Sequence, residues 1–203
     1  EIDLMRYAAR ANAEAGLAAA KLVRDGATFQ EMRQNYGQQC GQRLLTPEFV
    51  VIDTVAPEMA RGEIKEGRSF LIDCVSHHQH YHGDYGRTVC VGEPTREIQR
   101  ATKALGQIWD ELLPRLKPGM YYNEITQQAA NIHAKTDTDA GIVCNPHSDG
   151  INHTDEPSQG NSDYFIKDNL QLVEGMIISV DVPMIESGFG GSAHLEDLVL
   201  ITR

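Results

Sequence analysis

Paired cysteines, basic charge and long apolar runs are all scarce in this sequence of 203 residues. Its 4 cysteines, Cys40, Cys74, Cys90 and Cys144, are scattered without any CxxC spacing. That argues against a disulfide framework or a thiolate zinc site, and predicts buried free thiols in a reducing, cytoplasmic setting. Lys and Arg number 18 against 29 Asp and Glu, for a net charge of -11. No basic footprint is available to match phosphates, so a nucleic-acid partner is not expected. No apolar run approaches the ~20 residues that cross a bilayer, so no membrane partner is expected either. What is present is 41% hydrophobic content, enough for one large domain or two small ones.

The chain also repeats itself. Residues 2–25 are alanine-rich with apolar residues at helical spacing, and Gly26 is expected to stop that helix. Thr28 with Glu31 forms a capping-box signature, predicting a second helix to about Leu44. The same grammar returns with Ile98, Ala101, Leu105, Ile108, Leu112 and Leu116 on one helix face. "KPGMYYNEI" (117–125) then parallels "RDGATFQEM" (24–32) and opens a helix to about Lys135. A second echo follows: "EGRSFLID" (66–73) matches "EGMIISVD" (174–181), each a β-rich run ending in aspartate. After each comes irregular sequence and an acid-led apolar run, "DYGRTVCVG" from Asp84 and "EDLVLIT" from Glu196. Two echoes in the same order predict two related α+β halves about a pseudo-two-fold axis.

Such halves would bring four carboxylates together: Asp73 and Asp84 from one, Asp181 and Glu196 from the other. A hairpin turning near His77–Gln79 would lay the first two side by side. Four unpaired acids in an apolar β layer repel and raise one another's pKa values. Two divalent cations would offset all four charges. One histidine should complete the cage if the ions are transition metals, and the best candidates are His147 and His153 in "CNPHSDGINHTDEP" (144–157). Its breakers Pro146, Gly150 and Pro157 predict an irregular loop. A rival stands in "SHHQHYHGDYGRT" (76–88), where His78, His80 and His82 on one strand face could bind a metal themselves. A blander alternative pairs Asp84 and Glu196 with Arg87 and other surface cations.

At this point the chain resembles the catalytic domain of the pita-bread metallopeptidases, family M24, which include methionine aminopeptidase, prolidase, aminopeptidase P and creatinase. The pattern Asp-x-Gly … Gly-Tyr-x-x-Asp-x-x-Arg-Thr is matched by Asp73, Tyr81, Asp84, Arg87 and Thr88. "PHSDGINHTDEP", "EGMIISVDVP" and "EDLVLIT" approximate the remaining motifs, so the likeness covers nearly the whole chain. It implies a single α+β pita-bread domain over residues 1–203, with a curved, mostly antiparallel sheet covered by helices. It also implies that this domain is the C-terminal part of a longer chain, a homodimer when complete.

Carried over residue by residue, the resemblance makes Asp73, Asp84, His147, Asp181 and Glu196 the ligands of two divalent ions (Mn, Co, Fe or Zn). It makes Asp181 or Glu196 the proton carrier and His153 the oxyanion donor, with His80 and Tyr81 beside the substrate. The motifs lean toward the prolidase and aminopeptidase P branch, implying hydrolysis of an N-terminal Xaa-Pro bond in a small peptide. Two departures favour an alternative, a creatinase-like C–N hydrolase or a dimethylsulfoniopropionate-type lyase. Asp181 stands where the family has glutamate, and "DTVAPEMA" (53–60) lacks the family's upstream histidine.

Overall fold

The computed structural model of the protein describes residues 1–52, 62–154, 169–184 and 191–203. The stretch 53–60, with its missing histidine, and Pro157 lie outside them. Helices α1 (Ile2–Ala20) and α2 (Phe29–Gln42) precede strands β1 (Thr46–Ile52), β2 (Ser69–His78) and β3 (Tyr81–Cys90). Helices α3 (Arg96–Leu112) and α4 (Tyr122–His133) then precede β4 (Asn145–Ser148), β5 (Ile177–Met184) and β6 (Ala193–Leu200). The six strands form one sheet in the order β1-β2-β3-β6-β5-β4, every neighbouring pair antiparallel. Among the described residues each half is therefore two α-helices followed by three strands, and the halves meet at β3 and β6.

The echo read from sequence is repeated in the hydrogen bonds. Gly26, at φ +76°, donates to the Ile64 carbonyl at 3.0 Å, and Gly119, at φ +94°, donates to that of Leu172 at 2.8 Å. Both glycines adopt a left-handed turn that a side chain would strain. Glu31 accepts from the Thr28 N–H at 2.8 Å, and Glu124 accepts from the Tyr121 N–H at 2.7 Å, so both second helices open with a glutamate reaching back to the N-cap, though only Thr28 adds a hydroxyl to its cap. Two apolar cores sit beneath the two helix pairs, one around Met32, Tyr36, Phe70 and Ile72, the other around Ile108, Ile125, Val180 and Val182.

Register shows why all helices share one side of the sheet. Ile72 opposes Arg87, Arg87 opposes Leu195 and Leu195 opposes Val182, and directly opposed residues point the same way. Those alternates face the helices. The other alternates, including Asp73, Asp84, Asp181 and Glu196, face the open side.

Several boundaries differ from the sequence expectation. α1 ends at Ala20 rather than Asp25, because Leu22 and Val23 donate to carbonyls three residues back and the Asp25 side chain caps the Glu66 N–H instead. α2 stops at Gln42 and α4 at His133, each two residues early. β1 was not anticipated. The aspartates do not end strands, nor do Asp84 and Glu196 lead them; all four lie inside strands whose apolar alternates continue past them. The β2–β3 turn falls at Gln79 and His80, both at positive φ. His147 stands on a short edge strand, not in a loop; Pro146 is tolerated there because an edge residue need not donate to a neighbour.

Candidate metal centre

Four strands deliver the acids. Asp73 opposes Gly86, and Asp84 opposes Val75, so the two aspartates are diagonal neighbours and not directly opposed as expected. Gly86 opposes Glu196 across the junction of the halves, and Asp181 opposes Glu196 on the far side. One ligand oxygen from each of Asp73, Asp84 and Glu196 lies within 4.8 Å of the other two. Asp84 and Glu196 are 2% and 1% exposed. Neither pairs with a lysine or arginine among the described residues, which removes the surface-pairing alternative.

Arg87 instead lies on the helix side. It donates to the Glu196 carbonyl and to the Asp197 carboxylate, each at 2.7 Å, while Thr88 accepts from the His194 N–H at 2.9 Å. These contacts fasten β3 to β6, and so hold the acids of one half against those of the other.

Imidazoles close the cluster. His147 Nε2 is 3.3 Å from Glu196 Oε1 and 3.6 Å from Asp84 Oδ2, and His153 Nε2 is 3.3 Å from Asp84 Oδ2. The Ser179 hydroxyl donates to Glu196 Oε1 at 2.6 Å. Phe49 from β1 meets the His153 ring edge-on at 5.1 Å between centroids. All five predicted ligands and His153 therefore belong to one connected group. Tyr81 does not join it: by alternation it lies on the helix side with Gly83 and Tyr85. His80 occupies the hairpin turn, stacked at 5.7 Å on His77. The rival histidine cage fails for the same geometric reason. His78 faces Tyr7 at 4.4 Å and the Leu44 carbonyl at 2.9 Å on the helix side, whereas His82 opposes His77 on the open side.

Sequence reasoning missed two members. Asp149 Oδ2 lies 3.2 Å from His147 Nδ1, an ion-pair contact. His194 Nε2 lies 2.7 Å from Asp181 Oδ1 and 3.3 Å from Glu196 Oε2. For His194 the signal existed: it stands two positions from Glu196 on β6, and residues i and i+2 share a strand face, whereas Asp149 lies one residue past the end of β4.

The electrostatics follow from crowding. Burial, then Glu196, pushes the Asp73 carboxyl up to about 7. Burial with Asp181 and Asp84 pushes Glu196 up to about 7. Burial with Asp73 and Asp149 holds Asp84 well above the usual carboxylate range. Burial disfavours a charged His147, but Asp149 and Glu196 overcome it and raise its pKa. His194 is likewise opposed by burial and raised to about 10 by Asp181 and Glu196. Among the described residues, neither Asp84 oxygen accepts a hydrogen bond, nor does Asp73 Oδ1 or Glu196 Oε2. Buried acceptors of this kind are costly unless something positive meets them. An oxygen-rich set with imidazoles fits divalent ions of the Mn to Zn series.

The sequence profile described as metallopeptidase family M24 matches residues 3–203. The chain is 27% identical over 143 residues to a Xaa-Pro dipeptidase of Pyrococcus horikoshii, an overlap of 69% of this chain and 38% of that protein. Among solved structures it resembles the prolidase from Pyrococcus furiosus, with a TM-score of 0.85, 24% identity, and coverage of 100% of this chain and 61% of that one. It also resembles the dipeptidase PepE from Mycobacterium ulcerans, with a TM-score of 0.84, 19% identity, and coverage of 100% and 55%. The chain thus spans little more than a third of the curated relative's length.

Proposed function

The chain belongs to metallopeptidase family M24, and from that premise we propose that it is the catalytic domain of a dinuclear-metal peptidase cleaving the N-terminal Xaa-Pro bond of small peptides. The observation that carries the reading is the meeting of Asp73, Asp84 and Glu196 within 4.8 Å. The relative named a Xaa-Pro dipeptidase supplies the substrate class. In this reading Asp73, Asp84, His147, Asp181 and Glu196 hold two divalent ions, manganese among the candidates. When bound, such ions supply Lewis acidity, polarising a carbonyl and acidifying water.

The chain's own residues do the rest. Glu196 lies at the centre of the cluster, reached from one side by Ser179 and His147 and from the other by His194. From there it, or Asp181, takes a proton from the attacking water and passes it to the leaving nitrogen. His153, less buried than His147 and braced by Phe49, presents a donor to the developing oxyanion. Among the described residues no helix is long and apolar enough to cross a membrane. The four cysteines are free, and we propose a cytoplasmic setting on the cysteine argument above and a homodimeric complete protein on the family resemblance.

Aspartate in place of the family's glutamate at position 181, together with the stretch 53–60 that lacks the upstream histidine, favours one second reading, a non-peptidase member acting on a small C–N or sulfonium substrate. Assay against Xaa-Pro dipeptides, creatine and dimethylsulfoniopropionate separates the two. Turnover of the dipeptides alone is expected, and turnover of either small molecule without them overturns the peptidase reading.

A further inference from the structure

We infer that His194 is itself a ligand of the metal centre, so that an imidazole stands on each side of Glu196. The inference rests on the dinuclear reading above and adds a residue to it. Three ligand atoms, from Asp181, His194 and Glu196, lie within 4.8 Å of one another, a grouping separate from that of Asp73, Asp84 and Glu196. Glu196 belongs to both. Its Oε1 faces His147 at 3.3 Å and its Oε2 faces His194 at 3.3 Å.

The ring is held as a ligand is held. His194 Nδ1 faces the Ile72 carbonyl at 3.3 Å. Donation there leaves the Nε2 lone pair directed at the acids, the tautomer that metal-binding histidines adopt when a backbone carbonyl orients them. Its backbone is pinned on both sides by Thr88, whose hydroxyl accepts from the His194 N–H at 2.9 Å and donates to its carbonyl at 3.2 Å. The space is also reserved. A Cβ at Gly86 would lie 2.3 Å from His194 Cε1 and 2.8 Å from the Glu196 Cβ, so only glycine there admits the ring. Asp181 is one methylene shorter than the glutamate expected at its position, and the imidazole beside it supplies a donor where reach is lost. Two imidazoles also make the centre richer in nitrogen, which favours Zn, Co or Fe over Mn.

The test is X-ray absorption on the purified chain loaded with Zn2+, with metal stoichiometry measured in parallel. The expected result is two ions per chain and scattering from two imidazoles. His194→Gln should lose one imidazole and bind its second equivalent at least tenfold more weakly, an effect no smaller than that of losing an orienting contact. Two ions with a single imidazole overturn the inference and leave the family reading intact. A single ion beside one imidazole also overturns it, making His194 a cation that replaces the second metal. Unchanged affinity in His194→Gln overturns it as well. A chain that binds no Zn2+ overturns the dinuclear reading with it. His153 also borders Asp84, so His153→Gln is measured beside it: two imidazoles retained there support the inference and one overturns it, which leaves the test standing if His194→Gln misfolds.

Discussion

The two halves share a frame and differ in how they are fastened to it. In the first, α1 approaches β3 so closely that a Cβ at Gly83 would lie 2.5 Å from the Ala8 carbonyl oxygen. Its buried face is mostly alanine, and at its centre stands Asn12, fully buried. Asn12 donates to the Cys74 and Gly83 carbonyls at 2.6 and 2.9 Å, and accepts from the Tyr36 and Ser76 hydroxyls at 2.6 and 2.7 Å. In the second half the buried positions of α3 are all apolar, among them Ile98, Leu105, Ile108 and Leu112. Directional bonds therefore fix the hairpin that carries Asp73 and Asp84, while non-directional packing seats the strands that carry Asp181 and Glu196. The site is divided as unevenly: the first half brings only acids, and every imidazole in the cluster comes from the second.

The strongest way to break this division of labour is to remove an acid from either half. Asp84→Ala and Glu196→Ala should each abolish metal binding and cut activity by about 10³-fold or more, roughly 4 kcal/mol of barrier. Elemental analysis checks it. Unchanged metal content in either variant would mean that one half suffices.

Proton competition comes next. Asp73 and Glu196 have pKa values raised from the ordinary 3.8 and 4.5 to about 7. A raised carboxyl binds protons that the unfolded chain has already released, so the metal-free fold loses stability as pH climbs from about 4 to about 7. His194, raised from 6.5 to about 10, gives stability that is full below 6.5 and lost as pH rises through 10. Both act in the same direction. Metal affinity should run the opposite way, rising about tenfold per pH unit for each carboxyl that must release its proton. Urea melts from pH 4 to 8, with chelator and with Zn2+, should show stability falling in one series and rising in the other.

The fastening itself is tested by paired substitutions. Ile108→Ala should cost about 2–5 kcal/mol through its cavity, and Asn12→Ala a similar amount by leaving buried partners unmet at about 1–3 kcal/mol each. The sharper contrast is with near-isosteric changes. Ile108→Leu should cost under about 1.5 kcal/mol because packing readjusts, whereas Asn12→Leu should stay as costly as Asn12→Ala. Equal tolerance of leucine at the two sites, read from urea midpoints, would erase the distinction.

What could be read from the sequence divides along the same physical line. The halves and the acids were legible because they recur in order and because turns and caps are local; His147 was singled out from His153 only by the family resemblance. Asn12 was not, because a polar residue on an alanine-rich helix face shows no local sign that four distant groups converge on it. Strand β1 escaped because "TPEFVVI" carries a proline at its second position and lacks clean alternation. His147 was expected in a loop because Pro146 and Gly150 dominate the local pattern, and only pairing with β5 makes an edge strand of it. His194 obeys two-residue alternation, but that rule assigns a face only once the strand is known, and Asp149 lies just past the end of β4 where the rule gives no face.

Asp149 gives a smaller and more selective effect. It lies 3.2 Å from His147 Nδ1, on the side of the ring away from Glu196, where its charge orients the ring with Nε2 toward the acids. Asp149→Asn should weaken metal affinity about 10–100-fold without abolishing it. Its effect should also be smaller than that of Asp84→Ala. Calorimetric titration with Zn2+ distinguishes an orienting group from a ligand, since full loss of binding would place Asp149 among the ligands themselves.

The smallest expected effect belongs to the residues that most invite a metal reading. His78 and His80 lie in the histidine run, yet one is held against Tyr7 on the helix side and the other stacks on His77 at the turn. Neither shares a face and a depth with Asp84, which lies six and four positions further on, past the hairpin turn. Replacing both with glutamine should leave Zn2+ stoichiometry unchanged and shift stability by no more than the ~0.5 kcal/mol typical of surface positions. Loss of an equivalent of metal would move part of the centre to the hairpin tip and give the first half an imidazole after all.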